Sequence, residues 1–189
     1  MAHFFRDRNV PVIDADLLGH RTYEPGSETF VAVVRTFGED LVAADGTIDR
    51  KLLGGRVFGK PDELKKLTDI VWPGIRKLAS EELGEFEVAG NELAVLEAAV
   101  LFEAGWEDLC DEIWVVVVEP DLAVERLAAR NGLAPDAAKA RIASQLSNAE
   151  RIARADVVIE NNRDLEALEA SILQAWVALQ ERLQAAAGR

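Results

Sequence analysis

Two carboxylates one residue apart, Asp14 and Asp16, close the short apolar run Val10-Pro11-Val12-Ile13. At the carboxyl end of such a run, strand ends and helix N-termini converge on one crevice, so the pair is a candidate for ligand contact. A second group is basic. Arg126 and Arg130 stand four residues apart, on one face of a helix, and Lys139, Arg141, Arg151 and Arg154 follow closely. Planar guanidinium forks bind two oxygens each, so such a cluster suits a flap closing over polyphosphate. Two plainer accounts compete: Asp14-Ala15-Asp16 as the cap of a helix from Leu17 onward, and the arginines as ordinary surface partners of Glu and Asp.

The elements that would position these residues follow from pattern. Val10–Ile13 is brief, partly β-branched and flanked by polar residues, which predicts a buried strand of a parallel sheet. The carboxyl end of such a strand is the ligand edge of an open α/β sheet, and alternation along it lets at most one of the two acids face a crevice squarely. Before it, Met1–Asn9 reads as the last turns of a helix. After it come a turn at Tyr23-Glu24-Pro25-Gly26, a helix ending near Phe37-Gly38, a turn at Asp45-Gly46 and a helix opened by Asp49-Arg50 with Leu52, Leu53, Val57 and Phe58 on one face. Lys60–Glu87 predicts helix broken at Trp72-Pro73, because proline disfavours helix in the residue before it. Leu93–Leu96 and Ala98–Phe102 read as one strand interrupted by Glu97, and Ile113–Val118 as the most apolar strand of the chain.

Glu119-Pro120-Asp121 ends that strand and caps the Arg126 helix, which stops at Asn131-Gly132. Pro135 starts the next helix, and Ser147-Asn148-Ala149-Glu150 matches a capping box. Asp156–Glu160 predicts a last strand, with Asn161-Asn162 at its ligand edge. Leu165, Leu168, Ile172, Trp176, Leu179 and Leu183 stripe a closing helix.

Composition narrows the function classes. With 34 acidic against 21 basic residues and a formal charge of −13, the chain lacks the basic surface that nucleic acid or an anionic membrane needs, and a small-molecule substrate fits better. Its 189 residues suit one domain, spanning 1–189. The single cysteine, Cys110, excludes an internal disulfide; with no secretory apolar run and no spanning helix, a cytoplasmic protein is expected. No Gly-x-x-x-x-Gly-Lys-Ser/Thr occurs, and Gly54-Gly55, Gly84 and Gly90 read as turns or caps.

Taken in order, Val12-Ile13-Asp14-Ala15-Asp16, His20, Tyr23-x-Pro25-Gly26, Phe37-Gly38, Asp45-Gly46-x-Ile48-Asp49-Arg50, Leu53, Val57-Phe58, Trp72-Pro73, Leu101-Phe102-Glu103, Arg126-Leu127-x-x-Arg130 and Arg141-Ile142-x-x-Gln145 resemble the dephospho-CoA kinase family over almost the whole chain. The stretches ending in Trp72-Pro73 and Trp106 are similar to the kinase half of the bifunctional CoA synthases. The resemblance implies an α/β fold of the P-loop NTPase, nucleoside-monophosphate-kinase-like kind: a five-stranded parallel sheet flanked by helices, a helical CoA-side subdomain over 21–90 and a lid over 121–155. It implies transfer of the ATP γ-phosphate to the 3′-hydroxyl of dephospho-CoA, the last step of coenzyme A synthesis. Asp16 would then be the base and an indirect magnesium contact, and Arg126 would stabilise the transferring phosphoryl. His20, Tyr23 and Glu103 would bind substrate, while Arg130, Arg141 and Asn162 would serve the lid and ATP. Phosphoryl transfer asks mainly for positioning and positive charge, which agrees with the residues found.

Against that pattern, Met1 aligns just after the family's first strand and Walker loop. On this alignment negligible kinase activity is expected of the polypeptide alone, because even one lost preorganised donor costs roughly 100-fold or more. The missing strand would be central, leaving a slot in the sheet through which the chain could self-associate. Two readings of other classes therefore stand beside the kinase: a homologue that binds CoA or nucleotide without transferring phosphate, and an interaction protein that accepts a strand from another chain.

Overall fold

Val12–Asp14 forms strand β1 in the computed structural model, which describes residues 1–188, and Ile13 at its centre is 2% exposed. It follows a short helix α1 (Ala2–Arg6) that buries Ala2 and Phe5. The turn between them passes through Asn9 at φ 57°, a left-handed conformation that asparagine tolerates. β1 pairs in parallel with β2 (Val95–Glu97), Val12 opposite Val95 and Asp14 opposite Glu97. The connection between these parallel strands is the helical segment, and it and the pair make up the first of two compact units, Ala2–Ala99.

Three α-helices of that segment start where the sequence supplies a side-chain cap. Helix α2 (Ala15–Arg21) is capped by Asp14, α3 (Glu28–Phe37) by the Ser27 hydroxyl on the Phe30 N–H at 3.0 Å, and α4 (Arg50–Val57) by Asp49 on the Leu52 N–H at 2.9 Å. Gly38 ends α3 at φ 111°, where a side chain would be strained. The Asp45-Gly46 turn is closed by the Asp45 carboxylate, which accepts from the Thr47 N–H at 3.0 Å and the Thr47 hydroxyl at 2.7 Å, while Val42 bridges Ile48.

Three expectations are corrected in this unit and just beyond it. Helix α5 (Pro61–Val88) runs unbroken through Pro73. Burial outweighs the local penalty: Val71, Ile75 and Ala79, spaced by four, all lie in the core. On α4 only Leu53 and Val57 are buried, whereas Phe58, past the helix end, is 73% exposed, so the apolar face is narrower than its composition suggests. The strand at Leu93–Phe102 is confined to β2, with Glu97 exposed at its end. Ala98–Phe102 instead enters a turn in which the Ala104 and Trp106 N–H groups donate to Val100 and Leu101 carbonyls at 2.9 and 3.0 Å, tucking Phe102 and Trp106 inside.

The second unit spans the described residues from Val100 onward. Strand β3 (Trp114–Val117) pairs in parallel with β4 (Val157–Glu160), in register from Trp114 opposite Val157 to Val117 opposite Glu160. Phe102, Val115 and Val117 form its buried centre, with Leu101, Ile113, Leu146 and Ala155 packed around them. Between the strands lie α6 (Pro120–Asn131), α7 (Pro135–Ala143) and α8 (Asn148–Ile152). Gly132 closes α6 at φ 64°, prolines open α6 and α7, and α8 carries the complete Ser147–Glu150 capping box. The residue before α6, Glu119, makes no side-chain cap bond, contrary to expectation. Helix α9 (Leu165–Ala187) buries Ile172 and Leu179 of its predicted stripe, while Leu165 in its first turn is 68% exposed. The fold is thus α/β, with four short strands among the described residues arranged as two parallel pairs flanked by helices. No helix among these residues is long and apolar enough to cross a membrane.

Gly74 shows how closely α5 meets its neighbours. A Cβ there would sit 2.6 Å from the Thr29 hydroxyl oxygen and 3.2 Å from the Thr22 methyl, and both threonines are buried. Gly74→Ala should therefore destabilise the protein by about 1–3 kcal/mol. Gly84→Ala, in the same helix with nothing within 4 Å, should leave stability unchanged or raise it by up to about 1 kcal/mol. Thermal unfolding of the two variants checks the contrast.

Candidate functional site

The two carboxylates at the end of β1 have different fates. Asp14 is both the last residue of the strand and the N-cap of α2: its Oδ1 accepts the Asp16 and Leu17 N–H groups at 2.9 and 3.2 Å. Asp16, in the first turn of α2, is exposed and its carboxylate takes no hydrogen bond or ion pair among the described residues. The capping account is therefore right for Asp14, and Asp16 is left available at the ligand edge of the strand. His20 lies one turn further along the same face of α2, also exposed.

His20 leads into an open cleft of about 530 Å³. Arg21 and Tyr23 line it from the end of α2 and the following turn, and Thr47, Ile48 and Arg50 from the hairpin and the start of α4. Arg21 is tied to Glu82 of α5 by an ion pair, which anchors α2. Tyr23 is half-buried, and burial pushes its phenol up to about 12, opposed in part by the Arg50 guanidinium. Arg50 closes the Asp45-Gly46-x-Ile48-Asp49-Arg50 motif, but the sequence reading gave it no role beyond opening a helix with Asp49.

The second unit divides the arginine cluster. Arg151 and Arg154 are structural. Arg151 reaches the Glu103 carboxylate at 3.4 Å and the Gln145 amide oxygen at 3.3 Å. Arg154 pairs with Glu107 and lies over the Phe102 ring, 4.4 Å from its centroid. Glu103 also accepts the Leu146 N–H at 3.1 Å, so its carboxylate ties the turn after α7 to the core. Surface pairing is the correct account for these two arginines.

Arg126 is half-buried and grips the turn after β4. Its Nη1 donates to the Asn161 carbonyl at 2.7 Å and the Asn161 amide oxygen at 3.0 Å, and its Nη2 to the Arg163 carbonyl at 2.6 Å. Asn162 completes this join, its Oδ1 accepting the Glu119 N–H at 2.8 Å. Asn161 donates its own N–H to the Val117 carbonyl at 2.7 Å, and Asn148 donates through Nδ2 to the Val118 carbonyl at 2.8 Å. The carboxyl ends of β3 and β4 are thus fastened by polar side chains, two of which, Asn148 and Asn161, the motif reading did not assign. Arg130 bonds only the Asn131 amide oxygen, at 3.0 Å, and the Arg141 side chain makes no hydrogen bond or ion pair among the described residues; both are exposed on α6 and α7 without a carboxylate partner there.

Neither the Asp14–Asp16 pair nor any other group among the described residues brings together three His, Cys, Asp or Glu side chains that could hold a metal. Cys110 is half-buried, and burial followed by Asp111 and Asp108 pushes its thiol up, so it stays protonated and unreactive.

Tyr23 is the only tyrosine, which makes its environment directly measurable. Its folded value lies above the unfolded 10.0, so the stability it contributes is fully present below pH 10 and is lost as pH rises toward 12. The phenolate absorbance near 295 nm should appear with a midpoint close to 12; a midpoint near 10 in the folded protein would show an exposed phenol.

Comparison with known proteins shows the family and the fold. The family model for dephospho-CoA kinase matches residues 1–167. A dephospho-CoA kinase of Symbiobacterium thermophilum is 39% identical over 173 residues, covering 92% of this chain and 72% of the relative. That of Geobacter sulfurreducens is 42% identical over 165 residues, covering 87% and 84%. Among solved structures, one from Thermus thermophilus superposes with a TM-score of 0.76 at 35% identity, over 94% of this chain and 88% of that one. The dephospho-CoA kinase from Campylobacter jejuni shares the fold, with a TM-score of 0.71 at 24% identity over 95% and 90%. With a free carboxylate at the end of β1, unpaired arginines on α6 and α7 and a family match over most of its length, the chain belongs to the dephospho-CoA kinase family.

Proposed function

We propose that this chain binds dephospho-CoA and ATP and serves phosphorylation of the ribose 3′-hydroxyl of dephospho-CoA, with Asp16 as the general base; with no Gly-x-x-x-x-Gly-Lys-Ser/Thr in the sequence, turnover by the polypeptide alone is expected to be low. The observation that carries the reading is the separation of roles at the end of β1: Asp14 is consumed in capping α2, and Asp16 remains free one step along the helix. A carboxylate in that position can accept the hydroxyl proton as the oxygen attacks phosphorus, which is the one proton transfer the reaction needs. His20 and Tyr23, on the cleft beside it, are proposed to hold the acceptor.

In the second unit Arg130 and Arg141 are proposed to contact ATP phosphates, because they are the arginines of the cluster that neither a carboxylate nor a backbone carbonyl occupies. Arg126 and Asn162 support the same task by holding the turn after β4, and Glu103 by holding the turn after α7. Magnesium fits this site only as a nucleotide-bound ion: Asp16 offers one carboxylate, and phosphate oxygens and water would complete the shell, the usual manner in which magnesium binds beside polyphosphate. When bound, it neutralises charge on the phosphates.

Calorimetric titration with dephospho-CoA and with ATP, followed by an assay for CoA formation, tests the proposal. Binding of both with CoA as product supports it, and binding without product would leave a nucleotide-binding homologue. In a version of the protein extended by the family's first strand and Walker loop, Asp16→Asn should lower turnover by about 100-fold or more with little change in ATP affinity. Near-normal turnover in that variant removes Asp16 as the base.

A further inference from the structure

Two of the polar side chains that line the cleft at the end of α2 are already engaged: Arg21 is paired with Glu82, and the Thr47 hydroxyl donates to Asp45. Beside the lining, the Asp49 carboxylate caps α4. Arg50 is the guanidinium of the lining that stays without a partner among the described residues. In a chain with 34 acidic residues its guanidinium makes no ion pair and no hydrogen bond among the described residues, although it lines the cleft and acts electrostatically on the Tyr23 phenol. The Tyr23 hydroxyl likewise has no hydrogen-bond partner among these residues, and its ring is half-buried. Glu24 is the one acidic side chain on the lining, set against Arg21 and Arg50.

A fork of N–H groups beside a neutral phenol is a set of donors, and what satisfies it is an anion with several acceptor oxygens. We infer that Arg50, together with the Tyr23 hydroxyl, is the anion-recognising group of this unit and takes the diphosphate of dephospho-CoA. The inference rests on the function proposed above and assigns it a specificity residue. Position supports the assignment. His20 lines the cleft and Asp16 lies four residues before it on α2, a rise of about 6 Å. The ribose that carries the diphosphate on its 5′ carbon carries the reacting hydroxyl on its 3′ carbon. A diphosphate seated beside His20 and Arg50 therefore puts that hydroxyl within one helical turn of the base.

Isothermal titration of the full chain with dephospho-CoA reads this whether or not phosphate is transferred. Arg50→Ala should weaken binding roughly 10- to 100-fold, the effect of losing a charge-assisted hydrogen bond to phosphate. Arg50→Lys, which keeps the charge and loses the fork, should fall between the two. Arg50 is exposed at the first position of α4 and bonds nothing, so the melting temperature of Arg50→Ala should match that of the unchanged protein, and its affinity for ATP alone should stay within about twofold. Unchanged dephospho-CoA affinity in Arg50→Ala overturns this inference while leaving the function standing. Failure of the unchanged protein to bind dephospho-CoA overturns the function and this inference with it.

Discussion

The carboxylate of Asp14 does two things that the rest of the first unit depends on. It ends β1 in register with Glu97, and it satisfies two of the N–H donors that would otherwise be orphaned at the start of α2. A strand that passes directly into a helix, with no intervening loop, needs such a residue at the junction. Because Asp14 is held in this way, the helix begins at Ala15 and its first turn presents Asp16 outward. The direction of α2 is then set by the Arg21–Glu82 ion pair at its other end and by the close approach of α5 at Gly74 to Thr22. The cleft lies where that helix gives way to the Tyr23–Gly26 turn, so its position is a consequence of the cap.

The second unit is organised by polar fastening more than by apolar burial. Helices α6, α7 and α8 bury one residue between them, Ala138. What holds the segment is a set of hydrogen bonds at its two roots: Arg126 and Asn162 at the turn after β4, and Glu103 with Asn148 on either side of the Ser147 cap. Exposed ion pairs contribute little to stability, typically no more than about 1 kcal/mol. Arg126 differs because it is half-buried and donates to backbone carbonyls, which fixes a turn's geometry and loses nothing to screening. A segment anchored at its roots leaves Arg130 and Arg141 along it without a carboxylate partner among the described residues. The same arginines that look alike in sequence thus divide into fasteners and free groups.

The chain belongs to the dephospho-CoA kinase family, and its residues reflect what that chemistry asks of a protein. Phosphoryl transfer requires little covalent assistance; it requires a base near the attacking hydroxyl and positive charge near the phosphates. A strongly acidic protein must keep those few cations from being neutralised by its own carboxylates. Arg50, Arg130 and Arg141 each stand without a carboxylate partner among the described residues.

Much of this was legible in the residue order. Caps at Asp14, Asp49 and Ser147 located helix starts, because a short polar side chain followed by an apolar period has few other uses. Gly38 and Gly132 marked helix ends, and the β-branched run before Glu119 gave β3. The extent of β2, the passage of α5 through Pro73 and the division of labour among the arginines were decided by tertiary structure. Each of those outcomes turns on contacts between residues distant in sequence: burial of Val71, Ile75 and Ala79, the tucking of Phe102 and Trp106, and the carbonyls of Asn161 and Arg163 presented to Arg126. Sequence determined where elements begin, the chemistry available at their ends and the family. Which charges stay free for a ligand was settled only by folding, because pairing depends on what the chain brings within a few ångströms of each group.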